Sequence, residues 1–266
     1  MQDHHICGNL KIIIGFWDIV RIKTHIKKKK ILAIIPARKG SKRLLNKNII
    51  RLNKKPLFQW TLDTALKAKI FNQIYLSTDS KQIMNLVKNK NCVCPKLRKS
   101  KLSGDKVTLV DVCLDVLNYI KKNYDMPDAL VLLQPTSPFR TIDLIYESLN
   151  KFFSESNKAR NSVVSVEKVK KPPMWCFKKK NGYLIPYLKK NGINLQSQSL
   201  EPIFAPTGSI YIVTPNNLMS NKSFFTKKTL YVESYNQFEN LDIDEKFDFE
   251  IAKSILKNGI KKFKNF

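Results

Sequence analysis

The chain has 266 residues, with 48 Lys plus Arg against 21 Asp plus Glu, a formal net charge of +27. Its hydrophobic content of 43% is enough to bury a sizeable core in one large domain or two small ones. Lysine is spread along almost every segment, alongside much Ile and Asn and little Ala, which fits compositional bias; a nucleic-acid binder would concentrate its charge on one element with interleaved aromatics, so no nucleic-acid partner is expected.

Residues 1–30 differ from the rest and read as an N-terminal extension. The apolar run 12–20 is short, Asp18 interrupts it, and it lacks a basic leader and a small-residue cleavage site, so no signal peptide is expected. It is too short to span a bilayer, as is every other apolar stretch, so the expected setting is soluble and cytoplasmic with no membrane partner. Ile31-Leu-Ala-Ile-Ile-Pro36 follows. A continuous apolar run bounded by turn residues predicts a strand buried on both faces, as in parallel sheets. The basic loop Arg38-Lys-Gly-Ser-Lys-Arg43 leaves its C-terminal end, where open α/β sheets bind ligands.

A helix is predicted from Pro56, with Phe58, Leu62, Ala65 and Leu66 on one side. A second strand over 73–77 ends in Thr78-Asp79-Ser80, which caps a helix over 81–90; a short third strand covers 91–94, its Cys92 and Cys94 reading as core thiols. After the polar loop 96–105, Val110, Cys113, Leu114, Leu117 and Ile120 mark an amphipathic helix. A fourth strand over 128–133 runs into Gln134-Pro-Thr-Ser-Pro-Phe-Arg140, then come a helix over 141–153 and a fifth strand over 162–166. This alternation predicts a doubly wound α/β fold with a mostly parallel sheet. Over 170–205, Asn181-Gly and Asn191-Gly turns between short apolar runs predict an inserted β-hairpin arm. The sheet resumes over 208–213, and a last helix carries Phe247, Ile251, Ala252 and Ile255. Residues 31–266 thus form one domain with an arm.

The available chemistry is narrow. Five cysteines (Cys7, Cys92, Cys94, Cys113 and Cys176) form no Cys-x-x-Cys pair and are odd in number, against a disulfide framework and a Cys-based zinc site. The three histidines, His4, His5 and His25, all precede Lys27, so the main domain has no His-based triad or His metal ligand. Neither Gly-x-x-x-x-Gly-Lys-Ser/Thr nor Gly-x-Gly-x-x-Gly occurs, so P-loop and Rossmann dinucleotide sites are not expected. What remains must rest on carboxylates, Lys, Arg, amides and a hard metal ion.

Three stretches offer this. Backbone amides around Gly40-Ser41 can form an anion-binding concavity, and Arg38 and Lys47 can add charge-assisted bonds to phosphate. The alternative is a basic surface loop, and Lys39, Lys42 and Arg43 are read as surface charge. Asp242-Ile-Asp244 places two carboxylates on one face of an extended segment, about 7 Å apart at Cα, where they can converge on a cation. Without His or Cys such a pair selects a hard ion such as Mg²⁺; alternatively Asp244 is a helix N-cap. In Gln134-Pro-Thr-Ser-Pro-Phe-Arg140, two prolines make a rigid turn at a strand end, and Gln134, Thr136, Ser137 and Arg140 are candidates for substrate contact.

Taken together, Ile-Ile-Pro-Ala-Arg-Lys-Gly-Ser-Lys-Arg…Asn-Lys-Asn48, Ser77-Thr-Asp79, Leu-Leu-Gln134-Pro-Thr-Ser-Pro-Phe-Arg140, Pro206-Thr-Gly-Ser-Ile-Tyr-Ile212 and Asp242-Ile-Asp244…Asp-Phe-Glu250 resemble the acylneuraminate cytidylyltransferases, the CMP-sialic acid synthetase family. The order and spacing match across residues 31–257. The resemblance implies a Rossmann-like fold of the nucleotide-diphospho-sugar transferase type, with the arm as dimerisation region of a homodimer. It implies a nucleotidyltransferase that moves CMP from CTP to the anomeric hydroxyl of a keto-sugar acid and releases pyrophosphate. Arg38, Gly40, Ser41 and Lys47 would hold the triphosphate, and Asn48 and Arg98 would contact the nucleotide, with Asp105 closing the loop after Arg98. Gln134 and Arg140 would bind the sugar acid, and Asp242 and Asp244 would hold Mg²⁺. Lys99 and Leu45 stand where the family has Pro, and the segment Gln198–Ala205 lacks the Arg-Arg-Gln run of many sialic-acid enzymes. N-acetylneuraminate, legionaminic and pseudaminic acids, and an amino-octulosonate, all stay open as acceptors, as does an alditol phosphate.

Overall fold

The structure is a computed structural model describing residues 26, 28–87, 92–154, 162–188, 195–234 and 236–259; the N-terminal extension expected over 1–30 lies almost wholly outside the described residues. Its centre is β1 (Ile31–Pro36), buried at all six positions. Successive side chains point to opposite faces of a strand. Ile31, Ala33 and Ile35 therefore join the core under α1 (Leu57–Ala68) and α4 (Ile142–Phe153), with Phe58, Leu62, Leu144 and Ile145. Leu32 and Ile34 enter the opposite core under α3 (Leu109–Asn123), with Cys113, Val116, Leu117 and Ile120. The run of apolar residues exists because both faces are covered.

β1 pairs in parallel with β4 (Gln73–Ser77) on one side and with β6 (Ala129–Leu133) on the other. β5 (Cys92–Val93) extends the sheet beyond β4. Past β6 come β10 (Phe204–Val213), β7 (Ser162–Lys168) and β11 (Thr229–Glu233), giving the order β11-β7-β10-β6-β1-β4-β5. In this sheet β10 alone runs against its neighbours. The chain works outward from β1 through β4 and β5, then returns to β1's other flank at β6. That reversal opens a crevice at the C-terminal ends of β1 and β6, where α/β sheets place their ligands.

The register of β10 on β7 breaks between Pro206 and Tyr211, so residues 207–210 bulge opposite Ser165. Ser165 satisfies the bulge: its hydroxyl accepts from Ile210 N at 2.9 Å and lies 2.7 Å from Thr207 Oγ1. The strand therefore begins at 204, not 208, and Phe204 and Ala205 belong to the sheet and not to the arm. The arm itself is β8 (Phe177–Lys180) and β9 (Tyr183–Pro186), joined at Asn181-Gly182, where both residues have positive φ as a tight hairpin demands.

Other expectations shift. Helix α2 (Lys81–Leu86) is shorter than 81–90, with Ser80 capping it as expected. A small hairpin of β2 (Arg51–Leu52) and β3 (Lys55–Pro56), the helix α5 (Pro215–Asn221) and the edge strand β11 were not foreseen. Along β11 only Val232 is fully buried, so it carries almost no hydrophobic signal. In α6 (Lys246–Asn258) the buried face is Phe249, Ala252 and Ile255; Phe247, expected inside, is 74% exposed. Phe249, Ala252 and Ile255 pack with Leu52, Leu57, Phe139 and Ile243 in a third cluster that binds the C-terminal segment to the crevice.

Replacing Ser165 by Ala strips the bulge of its buried partner. Leaving such a group unsatisfied costs about 1–3 kcal/mol, so Ser165→Ala is expected to lower the unfolding free energy by that much, read as a lower urea midpoint at an unchanged m-value.

Candidate active site

Two adjoining clefts open at the crevice. One, of about 220 Å³, is lined by Arg38, Lys47, Asn48, Arg98, Gln134 and Thr136 among others. The second, of about 480 Å³, is lined by Gly40, Ser41, Lys42, Asn46, Asp79 and Ser103, and shares Arg38, Gly104 and Asp105 with the first. The candidate residues after β1 and after β6 thus meet across one crevice, although about ninety positions separate Arg38 from Gln134 in the chain.

The phosphate-side loop is tethered from several directions. Asp79, after β4, accepts from Lys39 N at 2.7 Å, so one of the backbone amides expected to face an anion is already engaged. Asn48 is buried and its amide donates to Arg38 O at 2.8 Å; it braces the loop as well as lining the cleft. Arg38 Nη1 lies 3.1 Å from Asp105 Oδ1, and Lys42 Nζ lies 2.6 Å from Asp105 Oδ2. Those contacts, Lys42 first, hold the Asp105 carboxyl below its ordinary value. Lys42 and Arg43, read from sequence as plain surface charge, are each ion-paired.

Arg98 is 7% exposed, and among the described residues its Nε and Nη2 have no hydrogen-bond partner. Burial pushes its pKa down, opposed by Asp79 and assisted by Arg38. Buried donors without acceptors are costly, so this guanidinium is set up for an acceptor that enters the cleft.

Arg140 departs from expectation. It is 3% exposed and does not line either of the two clefts described above. Instead Nε donates to Ser209 O at 2.8 Å, Nη2 to Gln134 O at 2.7 Å and Nη1 to Thr61 Oγ1 at 3.1 Å. Thr61 in turn donates to Gln134 O at 3.2 Å. Burial lowers its pKa to about 9, which leaves it charged at neutral pH, with Asp242 and Glu239 opposing the shift. It ties the end of β6 to the β10 bulge, and Gln134 and Gly208 meet as a result. A Cβ added at Gly208, whose φ is +76°, would lie 3.2 Å from Gln134 Nε2 and 3.8 Å from Asp242 Oδ2. Only glycine suits that backbone and leaves the gap between those two groups open.

The acidic segment is positioned by Ile243, which is fully buried and donates its N–H to Thr136 O at 2.8 Å. Asp242 and Asp244 flank it in the chain, and Lys47 acts on both carboxyls. Asp244 is not the helix cap; Glu245 is, in a capping box with Asp248. This frees Asp244 to accept from Arg43 Nη2 at 2.6 Å and Lys47 Nζ at 2.7 Å. Burial raises the Asp244 carboxyl, but Lys47 and Arg43 outweigh it and bring it below its ordinary value. Burial also raises Asp242, and there the Thr136 hydroxyl and Lys47 offset it only in part. Asp242 Oδ1 is buried and has no partner among the described residues. Among the described residues no group of three or more His, Cys, Asp or Glu forms a metal cage. One or two carboxylates completed by substrate oxygens is nonetheless how Mg²⁺ is usually held, and an orphaned buried carboxylate oxygen fits a cation.

These opposite shifts have opposite consequences for stability. Asp242, raised in the folded state, is a penalty at neutral pH that is relieved as pH falls. Asp244, lowered, stabilises above its unfolded value and loses that contribution as pH falls through the folded value. Thermal melts at pH 7 are therefore expected to show Asp242→Asn at or above the parent midpoint and Asp244→Asn below it.

A family profile described as cytidylyltransferase matches residues 32–261. The chain is 34% identical over 229 residues to a protein of Legionella pneumophila named CMP-N,N'-diacetyllegionaminic acid synthase, covering 85% of this chain and 96% of that one. It is 33% identical over 223 residues to an N-acylneuraminate cytidylyltransferase of Streptococcus agalactiae, covering 83% of this chain but only 52% of that relative's length. Among solved structures, a CMP:2-keto-3-deoxy-manno-octonic acid synthetase in complex with CTP superposes with a TM-score of 0.62 at 14% identity, over 86% of this chain and 99% of that one. At that identity the likeness concerns the fold.

Proposed function

The chain belongs to the cytidylyltransferase family, and on that premise we propose that it transfers CMP from CTP to the anomeric hydroxyl of a nonulosonic acid, releasing pyrophosphate. The observation that carries this is the meeting at one crevice of the cations Arg38 and Lys47 with Arg98, a buried guanidinium whose Nε and Nη2 are unused among the described residues, while two lining residues, Thr136 and Lys47, act on the Asp242 carboxylate behind them. The match over nearly the full length of the Legionella protein favours a legionaminate-like acceptor over the partial match to the N-acylneuraminate enzyme.

In this reading Arg38, Lys47 and the Gly40–Ser41 backbone take the triphosphate, with Asn48 keeping the loop in register. Arg98 gives its free donors to the nucleotide. Gln134, facing Asp242 across Gly208, orients the acceptor; Arg140 serves through Gln134 and not by touching the sugar. Asp242 and Asp244 hold Mg²⁺, which when bound neutralises charge on the phosphates and makes the acceptor hydroxyl more acidic. The hydroxyl oxygen forms the new bond to the α-phosphorus as the bond to pyrophosphate breaks. Positioning and charge neutralisation supply most of the acceleration in such transfers, which suits a domain without histidine.

We further propose a homodimer built on the β8–β9 arm. An isolated two-stranded hairpin is marginal in water, and here every strand position is exposed, including Phe177, Tyr183, Leu184 and Ile185. Among the described residues no helix is long and apolar enough to cross a membrane, and a soluble cytoplasmic setting is part of the proposal.

Pyrophosphate release is expected only with CTP, Mg²⁺ and a suitable sugar acid together. The assay compares CTP, UTP and GTP against legionaminic, pseudaminic, N-acetylneuraminic and octulosonic acids, with products weighed by mass spectrometry; turnover of octulosonate or an alditol phosphate alone would replace the acceptor assignment. Asp242→Asn and Asp244→Asn should each lower turnover by at least about 100-fold, and near-normal rates in both would remove the metal assignment. Leu184→Lys is expected to shift sedimentation from dimer to monomer.

A further inference from the structure

Four cations at the loop after β1, Arg38, Lys42, Arg43 and Lys47, are already paired from within the chain. Both oxygens of Asp244 are occupied, Oδ2 by Arg43 at 2.6 Å and Oδ1 by Lys47 at 2.7 Å. Asp242, two residues away, has its Oδ1 buried and, among the described residues, unpaired. The two carboxylates assigned to the metal are therefore in different states, one saturated and one open. A divalent cation needs free anionic oxygens. Asp244 can provide one only after Arg43 and Lys47 let go, and a triphosphate is the class of ligand onto which Arg and Lys transfer readily.

We propose that Arg43 and Lys47 form a counter-cation latch on Asp244, released onto the triphosphate, so that nucleotide and divalent cation bind as a coupled pair. This rests on the CTP and Mg²⁺ reading above and gives Arg43 a positioning role. The latch is partly sheltered, with the Lys47 side chain 13% exposed, that of Asp244 32% and only Arg43, at 62%, in the open. The Lys42 pair differs: Lys42 is 84% exposed where it meets Asp105, and no orphaned carboxylate oxygen belongs to that contact. Solvent screens such a pair heavily. Coupling of this kind is reciprocal: what frees Asp244 for the cation also frees Arg43 and Lys47 for phosphate.

The test is binding of Mn²⁺ alone to nucleotide-free full-length protein, read from the paramagnetic resonance of the free ion. Removing one arm of the latch should tighten Mn²⁺ binding, about threefold for the more exposed Arg43→Gln and about tenfold for Lys47→Met. Lys42→Gln removes the same charge from the same loop and should leave Mn²⁺ affinity unchanged. Unaltered affinity in both Arg43→Gln and Lys47→Met, or equal tightening in Lys42→Gln, overturns the latch. Asp242→Asn separates the latch from the reading beneath it. If Asp242→Asn loses Mn²⁺ binding while the two latch variants do not tighten it, the metal site stands and the latch is wrong. If Asp242→Asn binds Mn²⁺ as well as the parent, the metal assignment itself is wrong.

Discussion

The crevice depends on one buried cation. Taking a guanidinium out of water is expensive unless its donors and its charge are met; at Arg140 two carbonyls and a hydroxyl receive the donors, while Asp242 and Glu239 offset the burial of the charge only in part. Those acceptors come from α1, the end of β6 and the β10 bulge; β6 and β10 are already paired in the sheet, but α1 lies against it through apolar packing that does not fix a relative orientation. Directional bonds from a planar, rigid group do fix it. The placement of Gln134 against Gly208 is consequently set from beneath by a buried residue.

A second constraint is electrostatic. A chain with a net charge of +27 repels itself wherever its lysines crowd together, and the loop after β1 is such a place. Its few acids are distributed accordingly: Asp105 spans Arg38 and Lys42, and Asp244 spans Arg43 and Lys47. In the proposed reaction Asp244 passes Arg43 and Lys47 to the substrate phosphates. The cationic surface is thus already organised before nucleotide binds, and little rearrangement is needed beyond an exchange of partners.

Some of this was legible in residue order. The apolar run of β1 reported burial on both faces because parallel strands under helices have no solvent face, and the helix periodicities of α1, α3 and α4 followed from the cores they cover. The burial of Ile243 between two acids fits an acidic segment that presents its carboxylates away from the core. Elements with little buried surface gave no such signal: β11 at the sheet edge, the short hairpin of β2 and β3, and the first turn of α6, where Phe247 points to solvent despite being aromatic.

Residue types and spacing by themselves determined the fold class, the absence of histidine chemistry from the main domain, and which loops carry charge, because these depend on local pattern and composition. The division of labour among the charged residues was decided only in three dimensions. Arg140 and Arg98 look alike in the chain, yet one is consumed by backbone acceptors and the other keeps two donors free. Asp244 and Glu245 compete for one helix cap, and the winner of that contest left Asp244 to Arg43 and Lys47. The physical reason is that burial and the identity of the partner, which tertiary packing sets, determine what a charge can do.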